Sequence, residues 1–227
     1  MTTRTDVWQE IHDGLVPGVQ PDGESFAADF GGGKTLLLPL RRLPGDAGNH
    51  VASLIVTQAS FVVLDALADR ISEALATHRP EVIVGVPTLG LPLAEAVARR
   101  LGHTRLVPLS TSRKFWYDEA QSMPISSVTS PGEGKRIYMD PRMIPLLQDR
   151  RVAVVDDVLS TGRSMRAVLD LLDLADVAPV MIGAAMLQGD GWREAVGEVP
   201  AFGAISTPIV DAEALQARAR NHRPRSD

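Results

Sequence analysis

At 227 residues the chain has room for one large domain or two small ones, at about 150 residues per domain. A formal net charge of −5 excludes a nucleic-acid binder working through a broad basic face, and 44% hydrophobic with 22% charged residues excludes global disorder. The absence of cysteine excludes disulfides, thiolate metal sites and a cysteine nucleophile, and the five histidines share no ligand spacing.

In chain order, the first twenty or so residues mix polar and apolar side chains with Gly14, Pro17 and Gly18, and predict a loosely packed lead-in. They carry Asp6, Glu10 and Asp13 and no apolar leader stretch. The most apolar windows (36–40, 51–56 and 82–93) fall far short of the ~20 residues of a spanning helix. The expectation is a cytoplasmic protein with no membrane and no nucleic-acid partner.

Glu24–Phe30 and Lys34–Leu40 predict two short strands around a Gly31-Gly32-Gly33 turn. That turn and Lys34-Thr35 fall short of a P-loop, lacking the earlier glycine and a preceding apolar strand. From Ala59 the apolar period becomes helical through Leu75, with Pro80 as the stop. Val82–Val86 is a β-branched run expected as a buried strand, Leu91–Leu101 a helix closed by Gly102, and Leu106–Leu109 a strand interrupted by Pro108. Residues 110–135 show no period, and a structureless stretch of this length inside a domain is usually functional or mobile. Val152–Val155 predicts a strand, Met165–Leu174 a helix, Val180–Leu187 a strand and Phe202–Val210 a last one, before a fraying basic tail from Arg218. Alternating strands and helices with short turns mean an α/β fold, a doubly wound and mainly parallel sheet flanked by helices, with a small N-terminal addition.

One segment stands out for chemistry: Val152-Ala153-Val154-Val155-Asp156-Asp157-Val158-Leu159-Ser160-Thr161-Gly162-Arg163-Ser164. Two acids are expected directly after a buried strand, where parallel sheets bind ligands. The small hydroxylated residues that open the next helix let backbone N–H groups and the helix dipole approach an anion. A diol clamp beside a phosphate cradle suits a sugar phosphate; the bland alternative is an acidic N-cap pair.

This segment resembles the signature of the type I phosphoribosyltransferases: four apolar residues, two acids, two residues, a small residue, then Thr-Gly. The resemblance covers about residues 55–190 and implies that fold, with a hood built from the chain's outer segments. It divides the chain into a hood at 1–50, a core at 51–190, and a hood segment and tail at 191–227. It further implies transfer of the phosphoribosyl group of phosphoribosyl pyrophosphate (PRPP) to a nucleobase, with Mg²⁺ as cofactor. Asp156 and Asp157 would hold the ribose hydroxyls and metal, and Ser160, Thr161, Gly162, Arg163 and Ser164 the 5′-phosphate. Pro87, Thr88, Leu89 and Gly90 occupy the place of the pyrophosphate loop, without the arginine of adenine-type members. Arg113 and Lys114 match an adenine-type Arg-Lys pair, with Lys114 as a catalytic cation on the leaving pyrophosphate; the other reading is a pair of solvated charges. Residues 118–136 resemble the family's closing loop, with Asp118, Glu119 and Glu133 as candidate acids or bases.

Adenine is the favoured acceptor, since Val180–Gln188 lacks the lysine of 6-oxopurine enzymes and the Asp140-Pro141 segment is similar to adenine-type members. Phe115-Trp116-Tyr117 could stack on a base or line a subunit interface; Phe26, Phe30 and Trp192 are either stacking residues or core. The resemblance also implies a homodimer. The rival function is a PRPP-binding regulator of the same fold without catalysis.

Overall fold

The computed structural model describes residues 4–43, 48–117, 119–125, 135–211 and 215. Its strands and helices in chain order are β1 (Ile11–Asp13), β2 (Gly18–Val19), β3 (Ser25–Gly31), β4 (Lys34–Arg42), β5 (His50–Ala52), α1 (Phe61–Ala76), β6 (Val82–Gly85), α2 (Gly90–Arg100) and β7 (Val107–Pro108). There follow β8 (Ser122–Pro124), β9 (Arg136–Tyr138), β10 (Val152–Leu159), α3 (Arg163–Asp173), β11 (Pro179–Gln188), α4 (Trp192–Val196), β12 (Ala201–Thr207) and β13 (Ile209–Val210).

Five strands pair in parallel in the order β12–β11–β10–β6–β7. The first of them in the chain, β6, therefore lies between the second and the third. Connections leave in opposite directions from β6 and β10, which makes the gap between these two carboxyl ends the crevice where such sheets bind ligands. Both sheet faces are covered. Ala153 and Val155 of β10 pack with α1 and α2, while Val152 and Val154 pack with α3. That two-sided burial explains why the segment reads as an unbroken apolar run. Pro108 is tolerated because β7 is an edge strand, whose missing N–H costs no ladder bond on its open side.

Helix α1 starts at Ser60, whose hydroxyl accepts the Val63 amide at 3.2 Å and donates to Gln9 O at 2.6 Å. It buries Val63, Leu67, Ile71 and Leu75 along one stripe. Each of these side chains contributes roughly 1.5–3 kcal/mol when fully buried.

A second, antiparallel sheet runs β13–β5–β4–β3–β2, with β1 on β4, and packs into the α1–α2 side of the core. The glycine turn joins β3 to β4 as expected, with all three glycines at positive φ. The loosely packed lead-in is corrected: Val7 and Trp8 are buried, and the Trp8 indole donates to Ser53 O at 2.8 Å. The last apolar run is corrected as well. Pro208 cannot continue a ladder, so 202–210 divides into β12 of the parallel sheet and β13 of the antiparallel one. The structureless reading of 110–135 fails at its base, where β8 and β9 pair as antiparallel strands and pack against α3. Asp118 and residues 126–134, Glu133 among them, lie outside the described residues.

Candidate functional site

β6 ends at Gly85, opposite Val155, and the Val86 amide donates to Val155 O at 3.0 Å. The next residue on β10 is Asp156, so the chain turns out of the sheet beside that carboxylate. The turn is Pro87-Thr88-Leu89, with a cis peptide between Pro87 and Thr88, and α2 begins at Gly90 without a side-chain cap. A Cβ built on Gly90 would stand 2.9 Å from both the Cα and Oδ1 of Asp156. Glycine is thus what lets the helix start rest on the acid. The uncapped first turn leaves amide donors at the crevice.

The two acids lie within β10, which corrects their expected place just beyond the strand: Asp156 is still in register with Ala184 and the ladder continues to Leu159. Asp156 is 5% exposed and Asp157 half-buried. The Asp156 carboxylate accepts the Asp157 amide at 2.8 Å. Burial, reinforced by the neighbouring Asp157 charge, pushes the Asp156 carboxyl well above the usual carboxylate range. Burial raises Asp157 too. Among the described residues neither acid has an ion-pair partner. The crevice therefore holds two carboxyls with no internal cation to favour their ionised forms, an arrangement suited to hydroxyl donors and a cation.

Beyond β10, Ser160-Thr161-Gly162 leads into α3. Gly162 is the N-cap at φ +73°, where an L side chain is strained, and a Cβ there would stand 2.5 Å from Ala195 Cβ and 3.0 Å from Trp192 Cα. The loop is thereby seated on α4, a five-residue helix too short to announce itself in the sequence. Ser160 and Ser164 are half-buried, Thr161 and Arg163 exposed, and Thr161 Oγ1 accepts the Arg163 amide at 3.5 Å. The side chains at 87–90, 156–157 and 160–164 thus gather along the carboxyl edge of β6 and β10.

Arg113 and Lys114 lie on an exposed segment following β7. Arg113 is paired with Glu119 at 2.9 Å; Lys114 has no ion-pair partner among the described residues. Glu119 is thereby engaged with a cation. Trp116 donates to the buried Asp140 carboxylate at 3.4 Å, a partnership unanticipated because the two are 24 residues apart. Phe26 and Phe30 are buried in the core, so the stacking role weighed for them gives way to core packing. Trp192 is buried too, its indole donating to Gly189 O at 3.0 Å, but it also borders a cleft at the end of β11.

Known proteins resemble the chain in both sequence and fold. A hypoxanthine/guanine phosphoribosyltransferase from Methanohalophilus mahii is 29% identical over 136 residues, covering 60% of this chain and 66% of that protein. The bifunctional protein PyrR from Latilactobacillus sakei is 37% identical over 117 residues, covering 50% and 60%. The chain thus spans somewhat under two thirds of the length of these relatives. In fold it is similar to an APRTase from Giardia lamblia complexed with 9-deazaadenine, with a TM-score of 0.60, 21% identity, and 75% and 93% of the two chains covered. An adenine phosphoribosyltransferase from Rhodothermus marinus gives a TM-score of 0.58 at 18% identity, covering 75% and 94%. The model of the phosphoribosyl transferase domain matches residues 50–199, and the chain belongs to that family.

Proposed function

We propose that the protein transfers the 5-phosphoribosyl group of PRPP to a nucleobase, an adenine-like purine, and releases pyrophosphate. The observation that carries this reading is the seating of Gly90 on Asp156, which sets an anion-accepting turn against a diol-accepting acid pair. Asp156 and Asp157 hold the ribose hydroxyls; residues 160–164 hold the 5′-phosphate through amides and hydroxyls; residues 87–90 hold the pyrophosphate through amides. The C1–O bond to pyrophosphate breaks with its electron pair on the leaving oxygen. A ring nitrogen of the base forms the new bond to C1, and its proton passes to an oxygen of the departing pyrophosphate.

Sheet order supports the direction of attack. The pyrophosphate turn follows β6 on one side of β10, so the acceptor enters from the other side, over β11. There a cleft of about 240 Å³ is lined by Leu187, Asp190, Trp192, Arg193, Ser206 and Pro208. Buried carboxylates beside the ribose also favour the positive charge that develops at C1.

The acid pair fits a divalent cation, since two adjacent carboxyls are buried together without a cationic partner among the described residues, and a bound cation would offset the burial that disfavours their ionised forms. No third acid or histidine joins it among the described residues, so Asp156 and Asp157 would hold Mg²⁺ together with oxygens of PRPP. Bound there, Mg²⁺ supplies Lewis-acid stabilisation of the leaving pyrophosphate. The same reading includes Lys114 as a cation for the pyrophosphate, a homodimer and a cytoplasmic location. No helix among the described residues is long and apolar enough to cross a membrane.

One observation favours a second reading. The turn at 87–90 carries no cationic side chain, which suits a protein that binds PRPP as an effector without turning it over. The deciding experiment measures pyrophosphate release from PRPP and Mg²⁺ against a panel of purine and pyrimidine bases. Release with adenine establishes the transferase and its acceptor. Release with another base replaces adenine, and silence across the panel with PRPP still bound selects the effector.

A further inference from the structure

The segment that carries Arg113 and Lys114 is an exposed arch with both ends fastened to the same stretch, residues 138–142. Its start lies beside the pyrophosphate turn, since the Leu109 amide donates to Gly85 O at 3.0 Å. One residue on, Ser110 and Tyr138 exchange two backbone bonds, at 3.0 and 2.8 Å. At the far end the Tyr117 amide closes a turn on Lys114 O at 2.9 Å, and the Tyr117 ring lies 6.1 Å from that of Tyr138.

A side-chain fastening is added at Trp116. Asp140 Oδ2 accepts its indole N–H at 3.4 Å, and the Arg142 guanidinium lies over the ring at 5.4 Å. Asp140 is itself immobilised. Its carboxylate accepts the Arg142 amide and Nε at 3.0 Å each and Nη2 at 2.6 Å, and it also caps the short 3-10 turn Pro141–Leu146. The Arg142 bonds hold its carboxyl down to about 2, so this acceptor stays ionised throughout the ordinary pH range. An acceptor at the ring edge and a cation over its face together restrict the orientation of the indole. Between the fastened ends, Phe115 is 95% exposed and Lys114 is exposed without an ion-pair partner among the described residues.

We infer that Asp140 and Trp116 are positioning residues that hold the 113–117 arch so that Lys114 is presented to the pyrophosphate, an inference that rests on the proposed role of Lys114. A surface aromatic pair on a solvated loop would need neither a buried ionised acceptor nor a guanidinium over its face. Holding the backbone that carries the lysine lowers the ordering cost of the ligand-binding step rather than adding a contact. Asp140 therefore acts only through Lys114.

A double-mutant cycle on the full chain tests this, with inorganic pyrophosphate and Mg²⁺ as the probe and calorimetry as the readout. Asp140→Asn is expected to weaken pyrophosphate binding about fivefold in the native background and not at all in a Lys114→Ala background, because residues that act through one another are not additive. Trp116→Phe keeps the ring beneath Arg142 and removes the indole donor; it follows the same pattern and serves if Asp140→Asn does not fold. Iodide quenching of Trp116, the one tryptophan outside the core, should rise in Asp140→Asn. An equal loss from Asp140→Asn and Trp116→Phe in both backgrounds overturns the positioning role while leaving Lys114 in place. Lys114→Ala that binds pyrophosphate as the native chain does overturns the reading of Lys114 and the inference with it.

Discussion

The carboxyl edge of β6 and β10 and the arch at 113–117 handle charge in opposite ways. At the edge, Asp156 and Asp157 are enclosed, unneutralised and held above their ordinary protonation range by burial. On the arch, Lys114 is solvated and unpaired among the described residues, and fixed only through its neighbours. The buried region spends folding energy to keep two carboxyls out of water at the place proposed for hydroxyls and a cation. The exposed region keeps its cation in water, at little cost in stability. Charged groups of the first kind are coupled to folding, and those of the second kind are nearly free of it.

Removing both charges at the edge is the severest way to break this contrast. Asp156→Asn with Asp157→Asn should weaken PRPP binding by about 100-fold or more, on the scale of losing several charge-assisted bonds, while circular dichroism stays native. Unchanged affinity in calorimetry would remove the acids from the site. Next in size, Lys114→Ala should cut turnover about tenfold, the order expected for one charge acting on a leaving group, and move Tm by no more than about 2 °C. A larger Tm change would make Lys114 a structural residue.

Gly162→Ala sharpens the edge from the packing side. Its positive φ and the 2.5 Å approach to Ala195 leave no room for a methyl group, so chemical denaturation should show a loss of about 1–3 kcal/mol. A neutral result would mean that α4 yields. The smallest effect is the most diagnostic, because its sign is unusual for a site residue. A carboxyl raised in the folded state favours folding only while protonated. Stability contributed by Asp156 is therefore present below its unfolded value near 3.8 and is lost as pH climbs through the raised folded value. Asp156→Asn should accordingly stabilise the ligand-free protein at neutral pH by about 1 kcal/mol and flatten its decline above pH 4. PRPP affinity of the native chain should rise with pH across the same interval, because hydroxyl donors favour the ionised pair. A destabilised Asn variant would show that the acid is neutralised within the fold.

How far these features were legible follows from their physical range. Val152–Val155 and the helical period from Ala59 to Leu75 were readable because a long apolar run, or an apolar period ended by a proline, leaves few alternatives. The Asp156–Asp157 segment was readable because order and spacing are local. That the acids belong to the strand was not, since acids rarely sit within a parallel ladder and only the register with Ala184 reveals it. Pairing of Ser122–Pro124 with Arg136–Tyr138 was hidden because three-residue strands carry almost no period. The seating of Gly90 on Asp156 and the hold of Asp140 on Trp116 join residues far apart in sequence. Two turns and a strand must fold before either contact exists, so one-dimensional patterns are silent about both.

The antiparallel sheet has an outer strand that is among the last pieces of the described chain. β13 pairs with β5 some 160 residues earlier, Ile209 opposite Val51 and Val210 opposite His50. During synthesis the first five strands therefore emerge with β5 as an open edge, and it stays open while the whole parallel sheet is made. Contacts of such sequence separation form slowly, and an unpaired edge in that interval invites association with other nascent chains. Only once β12 has docked beside β11 does the chain return across Pro208 and close the edge. The two sheets are thus finished in a single late event, and premature release before residue 209 would leave both a gap in one sheet and an adhesive margin on the molecule.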